Sequence, residues 1–265
     1  MKTRIAHAGD IDIAYKIFGK GHPLILIMGY MGTMDMWDRT MLKMLSAHYR
    51  VIIFDNRGMG QTTASSKNFT IKLFADDVAH LLDALRIKSS HVLGWSMGTN
   101  IALEFALKYP KKANKLILYA ADCGGKNAVP PTSKIINQLN SIDDNPKKKK
   151  EKLFKFLFSS RWLRKNLHPY GYLPQAKETS SPENLNRQTK AIETWPGVYR
   201  KLNKIKQPTL LITGMSDVLT PPANSLLIAK RLPQAWLVQI KDGGHGVMYQ
   251  YPRGFSKIIL TFLEA

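Results

Sequence analysis

The chain has 265 residues with an apolar fraction of 44%, enough for one large α/β domain with a full core, or one domain carrying an insertion. Its longest purely apolar run is six residues, which excludes a bilayer-spanning helix of about 18 or more, and its single cysteine, Cys123, excludes an internal disulfide framework. Lys and Arg outnumber Asp and Glu by 39 to 19, for a net charge of +20, yet no zinc-finger spacing, RNP-like aromatic motif or long basic helix accompanies them, so specific nucleic-acid recognition is not expected. No h-region follows Met1-Lys2-Thr3-Arg4, and with the lone cysteine this points to a reducing cytoplasm.

In chain order, Ile5 to Ala8 and Ile11 to Phe18 alternate polar and apolar residues around Gly9-Asp10 and read as an antiparallel hairpin. Apolar strands interleaved with helical patterns follow. Strands are expected at Pro23 to Met28 and Val51 to Phe54, with helices from about Met36 to Leu45 and from Ile71 to Leu85. Within that second helix, Asp76-Asp77 reads as a solvated face. The run His91-Val92-Leu93 is a buried strand, Thr99 to Ala106 repeats at helical spacing up to Tyr109-Pro110, and Lys115 to Tyr119 is a strand. Beyond the break come strand Thr209 to Ile212, a helix from Pro222 to Arg231, strand Trp236 to Ile240 and a last helix from Tyr251 to Leu263. Continuous apolar strands alternating with helices mean an α/β fold with a mostly parallel sheet of about eight strands, covered on both faces.

Residues 124–203 break this rhythm. They are rich in Lys and Pro, show short helical patterns and no clear strand, and are too long for a structureless connection. The chain therefore divides into a core of residues 1–123 and 204–265 and an inserted helical subdomain of residues 124–203. Residues 125–206 hold 18 Lys or Arg against 6 Asp or Glu, more than half of the net charge. In Lys147 to Trp162 a Lys tetrad precedes a Phe/Leu-rich stretch. It reads as a solvated basic helix face, with weak association with an anionic membrane surface as the partner its charge allows.

The pentapeptide Gly94-Trp95-Ser96-Met97-Gly98 joins a strand directly to a helix, which places Ser96 on a tight, strained turn with its hydroxyl above the strand ends. A serine hydroxyl needs a base within hydrogen-bond reach, and that base needs an acid to fix its tautomer. Asp217 lies just past the strand ending at Ile212, in Thr213-Gly214-Met215-Ser216-Asp217. His245 lies past the next strand, in Asp242-Gly243-Gly244-His245-Gly246. Both fall in loops at strand C-terminal ends, where a parallel sheet places its site. His7, His22, His48, His80, His91 and His168 match no such position. No His/Cys/Asp cluster has metal-ligand spacing, so neither metal nor cofactor is expected.

These motifs resemble the α/β-hydrolase fold family, in its haloperoxidase-like and esterase-like branch. The likeness rests on the Gly94 to Gly98 elbow and on Asp55-Asn56-Arg57-Gly58-Met59-Gly60 after an early strand. It rests equally on Gly214 to Asp217 and on Gly244-His245 near the end. The resemblance implies a serine hydrolase in which Ser96 is nucleophile, His245 base and Asp217 acid, with Asp122, after strand Lys115 to Tyr119, as the alternative acid. It implies an oxyanion hole from the backbone N–H groups of Met97 and Tyr30, although Met28 stands where many members have histidine and Thr99 where glycine often follows the elbow. The insertion corresponds to the family's cap over the serine. Trp95, Phe158, Trp162 and Trp195 are the aromatics expected to touch a small apolar or aromatic ester substrate. Cofactor-free haloperoxidase or perhydrolase activity, C–C bond hydrolysis, or a non-catalytic ligand-binding role are the alternatives on the same fold.

Overall fold

The computed structural model describes residues 2–140, 146–176, 178 and 180–265. Eight strands form one sheet: β1 (Arg4–Ala8), β2 (Ile11–Phe18), β3 (Pro23–Ile27), β4 (Arg50–Phe54), β5 (Ser90–Trp95), β6 (Ala113–Tyr119), β7 (Thr209–Gly214) and β8 (Ala235–Ile240). Their order is β1-β2-β4-β3-β5-β6-β7-β8. The β1–β2 hairpin pairs antiparallel and joins β4 antiparallel, and from β4 to β8 every pairing is parallel. The connection leaves β3 toward β4 and then returns past it to β5, so the sheet reverses direction between β3 and β5. Such a reversal opens a crevice at the carboxyl ends of the two strands.

The apolar runs are double-faced because both sides of the sheet are covered. On one side Ile25, Ile27, Val92, Leu116 and Leu118 pack under α2 (Ile71–Ala84), α3 (Met97–Lys108) and α8 (Ala223–Ala229). On the other, Leu24, Leu26, Leu93, Ile117 and Leu210 pack under α1 (Arg39–Ser46) and α10 (Pro252–Glu264). The expected helix from Met36 is interrupted. A 3-10 turn over Met34–Met36 ends at Trp37, and Asp38, extended and accepting from the Met41 N–H at 2.7 Å, starts α1 afresh. A four-residue helix, α9 (Val247–Gln250), follows β8 where periodicity gives no signal, since one turn contains no repeat.

Between β6 and β7 lie α4 (Ser133–Asn140), α5 (Pro146–Leu157), α6 (Ser160–Lys165) and α7 (Pro182–Glu193), with no strand among the described residues. The side chains of the tetrad Lys147 to Lys150 lie outside the described residues. An aromatic run at helical spacing organises α5 and α6: Phe154 on Phe158 at 5.9 Å and Phe158 on Trp162 at 4.6 Å between ring centroids, with Tyr172 edge-on to Trp162. Helix α7 docks on the loop after β4. Asn184 donates to the Gly58 carbonyl, Arg187 to those of Ser65 and Lys67, and the Arg187 guanidinium lies 3.9 Å from the Phe69 ring centre.

The pair Asp76-Asp77 is not one solvated face. Asp76 holds Lys108 and Tyr109 at the surface, but Asp77 is 2% exposed and pairs with the buried guanidinium of Arg57, which also takes Asp10. Asp77 shares the α2 face of Phe74, Ala75, Val78 and Leu81, so its charge needed a buried partner. No helix among the described residues is long and apolar enough to cross a membrane.

Candidate active site

Ser96 sits between the end of β5 and the first turn of α3 with φ 55° and ψ −123°, a conformation that L residues rarely adopt. Its N–H donates to the Tyr119 carbonyl of β6 at 2.9 Å, and its own carbonyl accepts from the N–H and hydroxyl of Thr99. Close packing forces the flanking glycines. A Cβ on Gly94 would lie 2.3 Å from the Gly98 carbonyl oxygen, and one on Gly98 would lie 2.1 Å from that of Ile27. The turn therefore holds the Ser96 hydroxyl, half-buried, at the carboxyl edge of the sheet beside the β3–β5 reversal.

His245 and Asp217 reach the same edge because β7 and β8 are neighbours whose following loops are tied together. The Met215 N–H donates to the Ile240 carbonyl and the Ser216 N–H to that of Gly243. His245 Nδ1 lies 2.9 Å from Asp217 Oδ2, with both side chains almost fully buried. The remaining capacity of the carboxylate is filled. The Leu219 and Thr220 N–H groups donate to Oδ1, and the Thr220 hydroxyl donates to Oδ2 at 2.8 Å. A carboxylate so engaged favours the imidazole tautomer with Nδ1 protonated, in which Nε2 carries the free lone pair. The histidine backbone is also pinned to the elbow. Its carbonyl accepts from Trp95 Nε1 at 3.2 Å and from the Tyr119 hydroxyl, and the Trp95 and His245 ring centres are 5.6 Å apart.

Asp122 lies at the end of β6, but its Oδ1 is committed to the Gly124 N–H at 2.7 Å and the Asn100 amide at 3.3 Å. Burial raises its carboxyl above the usual range, while the group facing His245 Nδ1 is Asp217.

The loop after β3 borders the serine directly: a Cβ on Gly29 would stand 3.2 Å from Ser96 Cβ. The loop is a turn closed by the Gly32 N–H on the Gly29 carbonyl, and the Met31 N–H donates to Gln188 Oε1 of α7 at 2.7 Å. Neither bond uses the Tyr30 N–H. Met97 is the first residue of α3, so its N–H has no helical carbonyl to reach. Met28 is fully buried and fills the space under Gly32, where a Cβ would meet its Cγ at 2.6 Å. Asn56 Nδ2 donates to the Met28 carbonyl at 3.0 Å and supports the strand end from below.

Each of the four aromatics expected at the substrate has packing partners in the fold. Trp95 lies between Trp37, Tyr119, Tyr249 and His245. Phe158 and Trp162 belong to the aromatic run of α5 and α6. Trp195 joins the cluster on the α2–α3 side of the sheet and donates from Nε1 to Glu104 at 2.8 Å. Thr220 and Gln188 escaped the sequence reading, and Asn56 entered it only as part of the loop motif after β4. For Thr220 a signal existed, a hydroxyl residue three positions past Asp217; for the others only the folded contacts identify them.

A model of the alpha/beta hydrolase fold matches residues 22–252. A protein of Azorhizobium caulinodans named as a carbamate hydrolase, RutD, is 27% identical over 259 residues, 97% of each chain. One of Synechocystis named as a non-heme chloroperoxidase is 25% identical, also over 97% of each. Among solved structures, an alpha/beta hydrolase fold protein from Chitinophaga pinensis superposes with a TM-score of 0.82 at 26% identity, covering 99% of this chain and 97% of that one. An enol-lactonase from Burkholderia xenovorans shares the fold at a TM-score of 0.84 and 20% identity, over 99% of this chain and 100% of its own. By its sheet, its elbow and this match, the chain belongs to the α/β-hydrolase fold family.

Proposed function

We propose that the chain is a serine hydrolase, a carboxylesterase acting on small apolar or aromatic esters. The observation that carries this reading is the convergence of a strained Ser96 elbow and a His245–Asp217 pair at 2.9 Å on one edge of the sheet. Ser96 Oγ attacks the ester carbonyl carbon while His245 Nε2 takes its proton. The carbonyl electron pair moves to oxygen, where the Met97 and Tyr30 N–H groups stabilise it. Collapse expels the alcohol, which receives the proton from His245, and leaves Ser96 acylated. Water, deprotonated by His245, then attacks the acyl carbon, and Ser96 leaves with the proton restored. Asp217 keeps His245 in the required tautomer and stabilises its charged form. The helical insertion acts as the cap that shapes the acyl pocket, and its aromatic residues favour an apolar group.

Carbamates form the second substrate class, because a relative named as a carbamate hydrolase aligns over 97% of the chain and a carbamate carbonyl accepts the same attack. Labelling with a fluorophosphonate tests the class of reaction: Ser96 is expected to be modified in the folded protein and a Ser96→Ala variant to stay unmodified. An unlabelled wild type would point to the non-catalytic alternative. A panel of p-nitrophenyl esters of rising chain length, run beside an aryl carbamate, then ranks the substrates. Turnover confined to charged esters or peptides would overturn the apolar pocket.

A further inference from the structure

Helix α7 touches the loop beside Ser96 through two adjacent side chains. Gln188 is fully buried, and its Oε1 accepts from the Met31 N–H at 2.7 Å. Thr189 accepts from the Tyr30 hydroxyl at 2.6 Å and donates its own O–H to the Leu185 carbonyl. Met31 is in the left-handed region with φ 62°, which a methionine adopts only where its surroundings hold it. The Gln188 amide can meet an N–H only with its oxygen, so its orientation is fixed, and Nε2 is buried without a hydrogen-bond partner among the described residues. What the amide supplies is an acceptor for the Met31 N–H, one residue beyond the Tyr30 N–H.

We propose that Gln188, assisted by Thr189, is the positioning residue that sets the oxyanion loop, so that the helical insertion completes the oxyanion hole. This rests on the serine hydrolase reading. A backbone N–H aimed at developing charge loses most of its value when displaced by about 1 Å. Tying the Gly29–Gly32 turn to α7 fixes that aim from outside the core. Asn184 and Arg187 hold the same helix against the loop after β4, so the clamp itself has a rigid base.

The test compares wild type, Gln188→Ala, Gln188→Glu and Thr189→Val. The measurements are hydrolysis of p-nitrophenyl butyrate, inhibition by an aryl trifluoromethyl ketone and the urea midpoint. The ketone adds Ser96 Oγ to its carbonyl carbon and places the resulting oxyanion in the hole, with the serine proton on His245. Gln188→Ala is expected to lower kcat by about 10- to 100-fold and raise the ketone Ki by a similar factor, with KM within about threefold. A glutamate retains an oxygen for the Met31 N–H and should restore most of that loss, which a purely structural role would not require. Thr189→Val should show the same parallel change at about three- to tenfold, and it carries the test if Gln188→Ala does not fold. Unchanged kcat and Ki in both variants, or a fall in kcat without a rise in Ki, overturns the assignment. If the wild type neither reacts with a fluorophosphonate nor turns over any ester, the hydrolase reading fails and takes Gln188's role with it. A labelled, active wild type with insensitive variants removes the Gln188 proposal alone.

Discussion

Asp217 has donors on both carboxylate oxygens, and one of them, the Thr220 hydroxyl at 2.8 Å from Oδ2, is supplied three residues further along the same loop. Asp217→Asn replaces one of those oxygens with a donor, so the loop N–H groups and His245 Nδ1 compete for a single acceptor. On the proposed mechanism kcat should fall on the order of 10⁴-fold while the folded protein remains. Thr220→Val should cost about tenfold, since the carboxylate keeps its bond to His245; wild-type activity in Asp217→Asn would remove Asp217 from the mechanism, and in Thr220→Val would remove only the hydroxyl's supporting role. His91, by contrast, is not part of the site, yet it is expected to contribute to acid stability. Burial, with the nearby charges of His22 and Lys115 adding to it, pulls its pKa from 6.5 down to about 4. The folded state therefore refuses a proton that the unfolded chain accepts. Stability is complete above pH 6.5, falls as the pH drops from 6.5 to about 4, and loses nothing more from this group below that. The loss is on the order of 3 kcal/mol. His91→Phe keeps a ring against His22 and Tyr49, so urea unfolding from pH 7 to pH 4.5 should show a shallower decline than wild type. Parallel curves for the two proteins would assign the acid loss to other groups.

Among the elements, the core is joined at one corner by charge instead of apolar contact. Arg57, in the loop after β4, inserts a fully buried guanidinium between Asp77 of α2 and Asp10 of the β1–β2 turn, with Ser65 filling a further donor. Burial works against the Arg57 charge, but the two carboxylates outweigh it and hold the group above its ordinary pKa, while Arg57 pulls Asp10 well below the usual carboxylate range. Removing Asp77 leaves a buried cation half-paired, so Asp77→Ala should cost about 3–5 kcal/mol in urea unfolding. The double variant Arg57→Leu, Asp77→Leu should regain much of that loss, because no charge remains buried. A single variant as stable as wild type would mean that the guanidinium finds water. This corner also marks where sequence reading stops. The strands were legible because Leu24 to Ile27 and Leu116 to Tyr119 are apolar on both faces, and the elbow because its glycines and serine have fixed spacing. Asp77 looked solvated because a charge on a helix usually is, and only the distant Arg57 reverses that. Met36 to Leu45 looked continuous because its apolar residues run through Trp37, while a cap at Asp38 restarts the helix. Gln188 and Thr189 were illegible for the same reason: their partners lie more than 150 residues away.

At the scale of the whole molecule the net charge of +20 makes a long-range field, and more than half of it comes from the segment between β6 and β7. An amphipathic helix binds a membrane either by burying an apolar face or by attraction to anionic headgroups, and the two respond oppositely to salt. Helix α5 has already used much of its apolar surface: Phe154, Phe156 and Leu157 are 3%, 6% and 4% exposed and pack inward, and Leu157 also accepts the Gly246 N–H beside His245. Attraction without deep insertion is then the expected mode, at about 1 kcal/mol for each Lys or Arg near the surface. We expect vesicles rich in phosphatidylserine to sediment the protein at about 20 mM salt and to release it by about 0.5 M, where the screening length shrinks to a few ångströms. Vesicles of phosphatidylcholine alone should not retain it at either salt. Binding that survives high salt would mean that an apolar face inserts after all, with Ile136 and Leu139 of α4, both exposed, as the residues to replace by serine. Failure to bind at low salt would show that the charge is too dispersed over the surface to hold a headgroup layer, and would restrict this protein's substrates to those that reach it through water.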